Sequence, residues 1–294
     1  MTNILNIEDK DLESLFSPRE KDSHKGTYGE VLCVCGSYRE NGISMCGAAY
    51  LCGISAYRCG AGIVRVYTHK ENYAPIAASL PEAVYELYAD EIERERLAEL
   101  VKKADCVVLG PGLGTDDRAV KIVRTVLEEA RKRLVIDADA LNIIAKKPQL
   151  WSCINCQCVI TPHIGEMSRL TGKAIGEIAE NIVSFAKDFA KEKGIVCVLK
   201  DYKTVISDGN ITYMNNSGNP SMAKGGSGDV LSGILGGMLA QKKLSDGKPL
   251  AYIAACGVYL HGRAGDRSAE KLGQYSPIAG DIAAAIPEII AKRS

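Results

Sequence analysis

The sequence carries no excess of charge: 36 Lys and Arg balance 36 Asp and Glu among 294 residues. Without a basic block, a nucleic-acid backbone or an anionic membrane surface is excluded as the main partner, because either needs a positive field. No apolar run reaches the roughly eighteen residues that a membrane span requires. The first sixteen residues include Glu8, Asp9, Asp11 and Glu13 and lack an apolar core, so a secretory leader is not expected. Large aromatics are scarce, with 3 Phe and 1 Trp. Cysteine is plentiful at 11, but the number is odd and the residues are scattered through apolar segments such as 31–35. That usage reads as reduced thiols serving as small hydrophobes and points to the cytoplasm. Glycine is in surplus, 29 of 294 residues, about a tenth against an average of about 7%.

Short β-branched runs alternate with longer helical patterns. Strands are expected at 31–35, 63–67, 106–109, 134–136, 158–160 and 195–199, with a hairpin of 204–206 and 211–214 around Asp208 and Gly209. Helices are expected at 44–59, 117–131, 138–145, 165–170, 175–193, 229–241, 249–265 and 279–292. The alternation predicts an α/β fold, a mostly parallel central sheet with helices on both faces. One domain over residues 1–294 is expected, with 1–24 as a leading arm or helix. Polar or glycine-rich loops follow almost every strand, so they would line one continuous edge, where open α/β sheets bind ligands.

The segment from Gly218 to Asp229 carries the strongest signal. Gly225, Gly226, Ser227 and Gly228 can turn successive N–H groups inward at the positive end of a helix, which makes an anion cradle. Asp229, which follows them, either acts as general base on a hydroxyl near a bound phosphate or merely caps the helix. Beyond it, Ser232, Gly233, Gly236, Gly237 and Ala240 form a bare face opposite Val230, Leu231, Ile234, Leu235, Met238 and Leu239, so a close-packed helix is expected. Gly110-Pro111-Gly112-Leu113-Gly114 is either a turn or a site, and it matches neither the Walker A nor the dinucleotide fingerprint. Lys25, before Gly26 and Gly29, either closes over a ligand or is solvated. Asp137 and Asp139 either organise Mg²⁺ through water or cap the helix that holds Asn142. His163, in a loop between Pro162 and Glu166, is either solvated or a substrate contact. Cys153, Cys156 and Cys158 lack a second pair to complete a metal site, so no metal ligands are assigned.

Together these segments carry a family resemblance. The runs 25–29, 36–37, 47–49, 60–62, 110–114, 137–142, 161–166 and 219–229 resemble, in order, the ADP/ATP-dependent NAD(P)H-hydrate dehydratases. The resemblance implies a ribokinase-like fold and a lyase of metabolite repair. Its substrate would be the S-form of hydrated NADH or NADPH, its co-substrate ADP or ATP, and Mg²⁺ would bridge the phosphates. By position, Ala48, Gly114, His163 and Asp229 match the family's hydrate-binding residues. Lys200, Asp201, Tyr202, Lys203, Thr204 and Gly228 match its nucleotide-binding residues, beside Gly225, Gly226 and Ser227 of the cradle. Asp229 would be catalytic, with Lys25, Asp137, Asn142 and Glu166 in support. Asp201 stands where the family commonly has Gly, and Lys224 where it usually has a neutral residue. A homo-oligomer, up to a tetramer, is compatible with the glycine-lined helix. The rival is a ribokinase-like kinase of a small alcohol such as a vitamin precursor.

Overall fold

Val31, Leu32, Cys33 and Val34 alternate between two apolar layers, Val31 and Cys33 packing into one and Leu32 and Val34 into the other. A strand buried on both faces needs helices on both sides, and this pattern sets the architecture. The computed structural model describes residues 4–39 and 41–291. Its ten strands are β1 (Ile4–Leu5), β2 (Glu30–Val34), β3 (Ile63–His69), β4 (Val84–Tyr88), β5 (Cys106–Leu109), β6 (Arg133–Ile136), β7 (Gln157–Ile160), β8 (Val196–Leu199), β9 (Val205–Ser207) and β10 (Thr212–Met214). They form one sheet in the order β1-β10-β9-β8-β7-β6-β5-β2-β3-β4. Every pairing is parallel except those of β9 with β8 and β10.

Most expected elements are present with ends shifted by a residue or two. The exceptions have local causes. The helix expected at 175–193 is two, Ile175–Glu180 and Ile182–Lys193, broken at Asn181. The one expected at 249–265 runs on to Leu272, because Ala264, Gly265 and Ser268 stay buried. The end of the last expected helix, Lys292, lies outside the described residues, as do residues 1–3 of the leading arm. The rest of that arm joins the fold: β1 extends the sheet beside β10, and the Asp9–Leu15 helix buries Leu12 and Leu15. Strand β4 and the Arg94–Lys103 helix were not expected. Among the described residues no helix is long and apolar enough to cross a membrane.

The Ser227–Ala240 helix packs its bare face as expected. A Cβ on Gly233 would overlap the Cys52 carbonyl, and one on Gly237 would sit 2.6 Å from the Ala56 carbonyl. Main chain therefore touches main chain between this helix and Cys46–Arg58. The glycine face is consumed inside the chain, which removes it as a surface for a second subunit.

Candidate active site

Strands β2, β5, β6 and β7 run in one direction with Val34, Leu109, Ile136 and Ile160 in register, so the loops that follow them emerge at one edge. Neighbour order reverses between β5 and β2, the kind of crevice where α/β sheets take ligands. Gly36 N–H donates to the Pro111 carbonyl at 2.8 Å and ties the two loops there. Gly112 has φ 61°, and a side chain on it would lie 2.8 Å from the Ala48 methyl. Ala48 thus faces Gly112 in the crevice, two residues before Gly114. Ser37 joins them, its Oγ buried without a partner among the described residues and 3.6 Å from where a Gly114 Cβ would stand.

Beyond β6 the chain turns at Ala138, whose φ of 49° is the one positive value among the described non-glycine residues. The turn sends its two neighbouring carboxylates apart. Asp137 is buried, with Oδ1 accepting from Lys200 Nζ at 2.9 Å and Oδ2 from Ser232 Oγ at 2.7 Å. Asp139 accepts from Gly114 N–H at 2.8 Å and from Asn142 Nδ2 at 3.4 Å, and Asn142 Oδ1 in turn accepts from Arg169 Nε at 2.9 Å. The cap expected of Asp137 does not form. Its side chain makes no cap bond, and its oxygens are taken by protein donors, Lys200 arriving from β8, two strands along the sheet from β6.

Lys200 comes close because a parallel bridge joins it, the first residue past β8, to His163, three residues past β7. His163 and Glu166 cap their helix reciprocally: Glu166 N–H donates to His163 Nδ1 at 3.2 Å, and His163 N–H donates to Glu166 Oε2 at 2.9 Å. Burial, then the Lys200 and Arg169 charges, lowers the His163 imidazole below its ordinary range, while burial raises the Glu166 carboxyl. His163 is therefore neutral near pH 7, with Nδ1 spent on the cap. Burial pulls Lys200 down, but the Asp137 and Glu166 carboxylates outweigh it and hold the ammonium charged.

The Ser227–Ala240 helix begins above this pair. Gly226 caps it at φ 91°, where a side chain would press on Leu51 and Ala279. Gly225 faces open space, and a Cβ on Gly228 would stand 3.5 Å from Lys200 Nζ and 3.7 Å from Asp137 Oδ2. Among the described residues no acceptor meets the N–H groups of Gly228 and Asp229, and no donor meets the Asp229 carboxylate. Burial, reinforced by Asp137 and opposed by Lys200, pushes that carboxyl up to about 7. Unpaired amides with a carboxylate poised near neutrality suit phosphate binding beside proton abstraction.

The site residues fall into three groups. Ala48, Gly114, Asp137, Asn142, His163, Glu166, Lys200 and the 225–229 segment share the edge described above. Asp201, Tyr202 and Lys203 are exposed on the adjoining turn, closed by Thr204 Oγ1 donating to the Asp201 carbonyl at 3.1 Å. Lys25 is corrected. Its carbonyl packs on Gly62, just before β3 begins, and Gly29 packs on Ala240, so Lys25, Gly26 and Gly29 stand at the opposite edge of the sheet. Lys224 Nζ donates to the Tyr275 carbonyl at 2.6 Å, tying the 273–278 loop to the cradle. Sequence reasoning missed Ser37, Ser232 and His261, whose Nε2 lies 3.4 Å from Ser227 Oγ and which burial lowers to about 4. His261 had a signal, being an imidazole in an otherwise apolar stretch.

Residues 31–288 match the profile of a family described as NAD(P)H-hydrate dehydratase. The ADP-dependent (S)-NAD(P)H-hydrate dehydratase of Streptococcus thermophilus is 35% identical over 294 residues, covering 99% of this chain and 100% of that protein. The bifunctional NAD(P)H-hydrate repair enzyme Nnr of Escherichia coli (strain K12) is 38% identical over 291 residues, covering 98% of this chain and 53% of that protein. The chain spans about half the length of such bifunctional relatives. Among solved structures, the ADP/ATP-dependent NAD(P)H-hydrate dehydratase from Bacillus subtilis, co-crystallised with ATP/Mg²⁺, superposes with a TM-score of 0.84 at 29% identity, covering 100% of both chains. A ribokinase-like superfamily protein from Enterococcus faecalis V583 superposes at 0.83 with 30% identity, covering 99% of this chain and 96% of that one.

Proposed function

The chain belongs to the NAD(P)H-hydrate dehydratase family, and from that premise we propose that it repairs hydrated NADH or NADPH at the expense of ADP or ATP. The observation that carries this is the Asp229 carboxylate, unpaired, raised to about 7 and seated one residue past the Gly225–Gly228 amides.

Hydroxide is a poor leaving group, so the ring hydroxyl is first phosphorylated. As its oxygen attacks the terminal phosphorus, the proton passes to Asp229, an O–P bond forms, and the bond to the departing nucleotide breaks. The Gly228 and Asp229 amides and the Lys200 ammonium face the charge on the transferring group. The C–O bond then breaks to release phosphate, a proton leaves the adjacent carbon, and the ring double bond returns. Ala48, Gly114 and Ser37 seat the ring, and His163 offers its exposed imidazole nitrogen to a polar group of the substrate. The nucleotide runs from the cradle toward residues 200–204. Mg²⁺ would be carried on the nucleotide phosphates and would offset their charge.

The test mixes the protein with Mg²⁺, hydrated NADH or NADPH, and ADP or ATP, and follows the returning absorbance of the reduced ring. Recovery with either nucleotide is expected. Its absence with both, alongside phosphorylation of a vitamin alcohol, would assign the kinase alternative.

A further inference from the structure

We propose that Asp137 is a positioning residue for phosphoryl transfer: it pins the Lys200 ammonium beneath the anion cradle and keeps it from pairing with Asp229. The inference rests on the proposed function for its kinetic readout.

Asp137 is 1% exposed, and each oxygen has one protein donor, Lys200 Nζ and Ser232 Oγ. The ion pair forms the floor of the cradle, since a Cβ on Gly228 would stand at van der Waals distance from both partners. The aim of Asp137 is fixed by its surroundings. Ala138 holds a left-handed turn, and Gly110 leaves no room for a side chain against the Asp137 carbonyl. Backbone strain persists where surrounding contacts over-determine it, as they do here.

The charged groups facing Asp229 come from two elements: Asp137 and Asp139 push its proton affinity up, and Lys200 pulls it down. From the other packed helices come Cys52, whose thiol donates to the Asp229 carbonyl at 3.2 Å, and neutral His261 near Ser227. Without Asp137, the half-buried Lys200 ammonium would have Asp229 and Glu166 as its remaining carboxylates. Pairing with Asp229 would occupy the base and withdraw the cation from phosphate. Asp137 therefore keeps Lys200 for the nucleotide and Asp229 for the hydroxyl.

The test compares wild type, D137N, D137E and the double variant D137N/K200M. It uses pH profiles of hydrate turnover together with a carbon-13 NMR titration of the Asp229 carboxyl in nucleotide-free protein. D137N is expected to move the acidic limb and the carboxyl titration down by about one pH unit, the effect of losing a nearby like charge, and to raise the nucleotide KM. The double variant should lie between D137N and wild type, because the attraction of Lys200 is also gone. It leaves neither partner buried alone, so it carries the comparison if D137N does not fold. D137E should keep the wild-type limb while raising the nucleotide KM. Uniform loss of activity in D137N at every pH, with an unmoved carboxyl titration, would overturn the proposal and leave Asp137 a structural residue. Absence of wild-type turnover at any pH would sink the proposed function alone, since the NMR titration still decides the role of Asp137.

Discussion

Replacing Asp229 by Asn should leave a protein that is more stable and nearly inactive, and both effects trace to burial of one carboxyl. Asp229 titrates at about 7 in the fold against 3.8 when solvated. Below about pH 4 the folded and unfolded states both hold the proton and no penalty exists. Between these two values the unfolded chain has released the proton while the fold retains it, so stability falls as pH rises, and above 7 the whole penalty is present. At about 1.4 kcal/mol per pH unit the ionised carboxylate costs on the order of 4 kcal/mol, an upper bound because part of the side chain reaches solvent. The Asn amide has nearly the same shape and no charge. Asp229→Asn should therefore gain about 1–4 kcal/mol at pH 8, less at pH 5, and nothing near pH 4. Turnover should fall by about 10²- to 10⁴-fold, the usual contribution of a positioned base. Denaturant unfolding at the three pH values, with turnover measured on the same preparations, checks both halves. A variant that is destabilised at pH 8, or gains equally at pH 4 and pH 8, would refute the burial argument; retained turnover would refute the base.

Other substitutions probe the frame around the site. Gly233→Ala should cost about 3 kcal/mol or more by denaturant unfolding, because its methyl would overlap the Cys52 carbonyl and crowd Ser55 Cβ. Gly225→Ala meets nothing within 4 Å, so stability should change by less than about 1 kcal/mol. Ala138→Val places a β-branched side chain at φ 49°; a loss of about 2 kcal/mol is expected, with reduced turnover as Asp137 and Asp139 lose their aim. Lys25→Met should leave kcat and both KM values at wild-type level, and a raised nucleotide KM would return Lys25 to the site.

The central strands were legible because runs such as 106–109 are apolar on both faces and end in glycine. Strand β4 was not, since Val84, Tyr85, Glu86, Leu87 and Tyr88 mix exposed and buried positions at the sheet edge, where half the pattern faces solvent. The anion cradle could be read because its residues are contiguous and their chemistry is local. The Asp137–Lys200 pair could not, because it joins residues 63 apart through strand order alone. Lys25 was misplaced for the same reason: a glycine turn beside a strand looks alike at either end, and only the direction of β2 tells which edge it occupies. His261 sits in the middle of a long helix, and its nearness to Ser227 depends on how two helices pack.

The contact of the Ser227–Ala240 helix with Cys46–Arg58 also works as a pair of calipers. One jaw opens at Asp229 and the other at Ala48, and between them Gly233 and Gly237 rest on the backbone of Cys52 and Ala56. The spacing from base to ring seat is thus ruled off in peptide units, which measure the same whatever side chains surround them. Changes of bulk elsewhere on either helix can loosen or tighten the grip, while the gauge itself resets only when one of those two glycines is replaced.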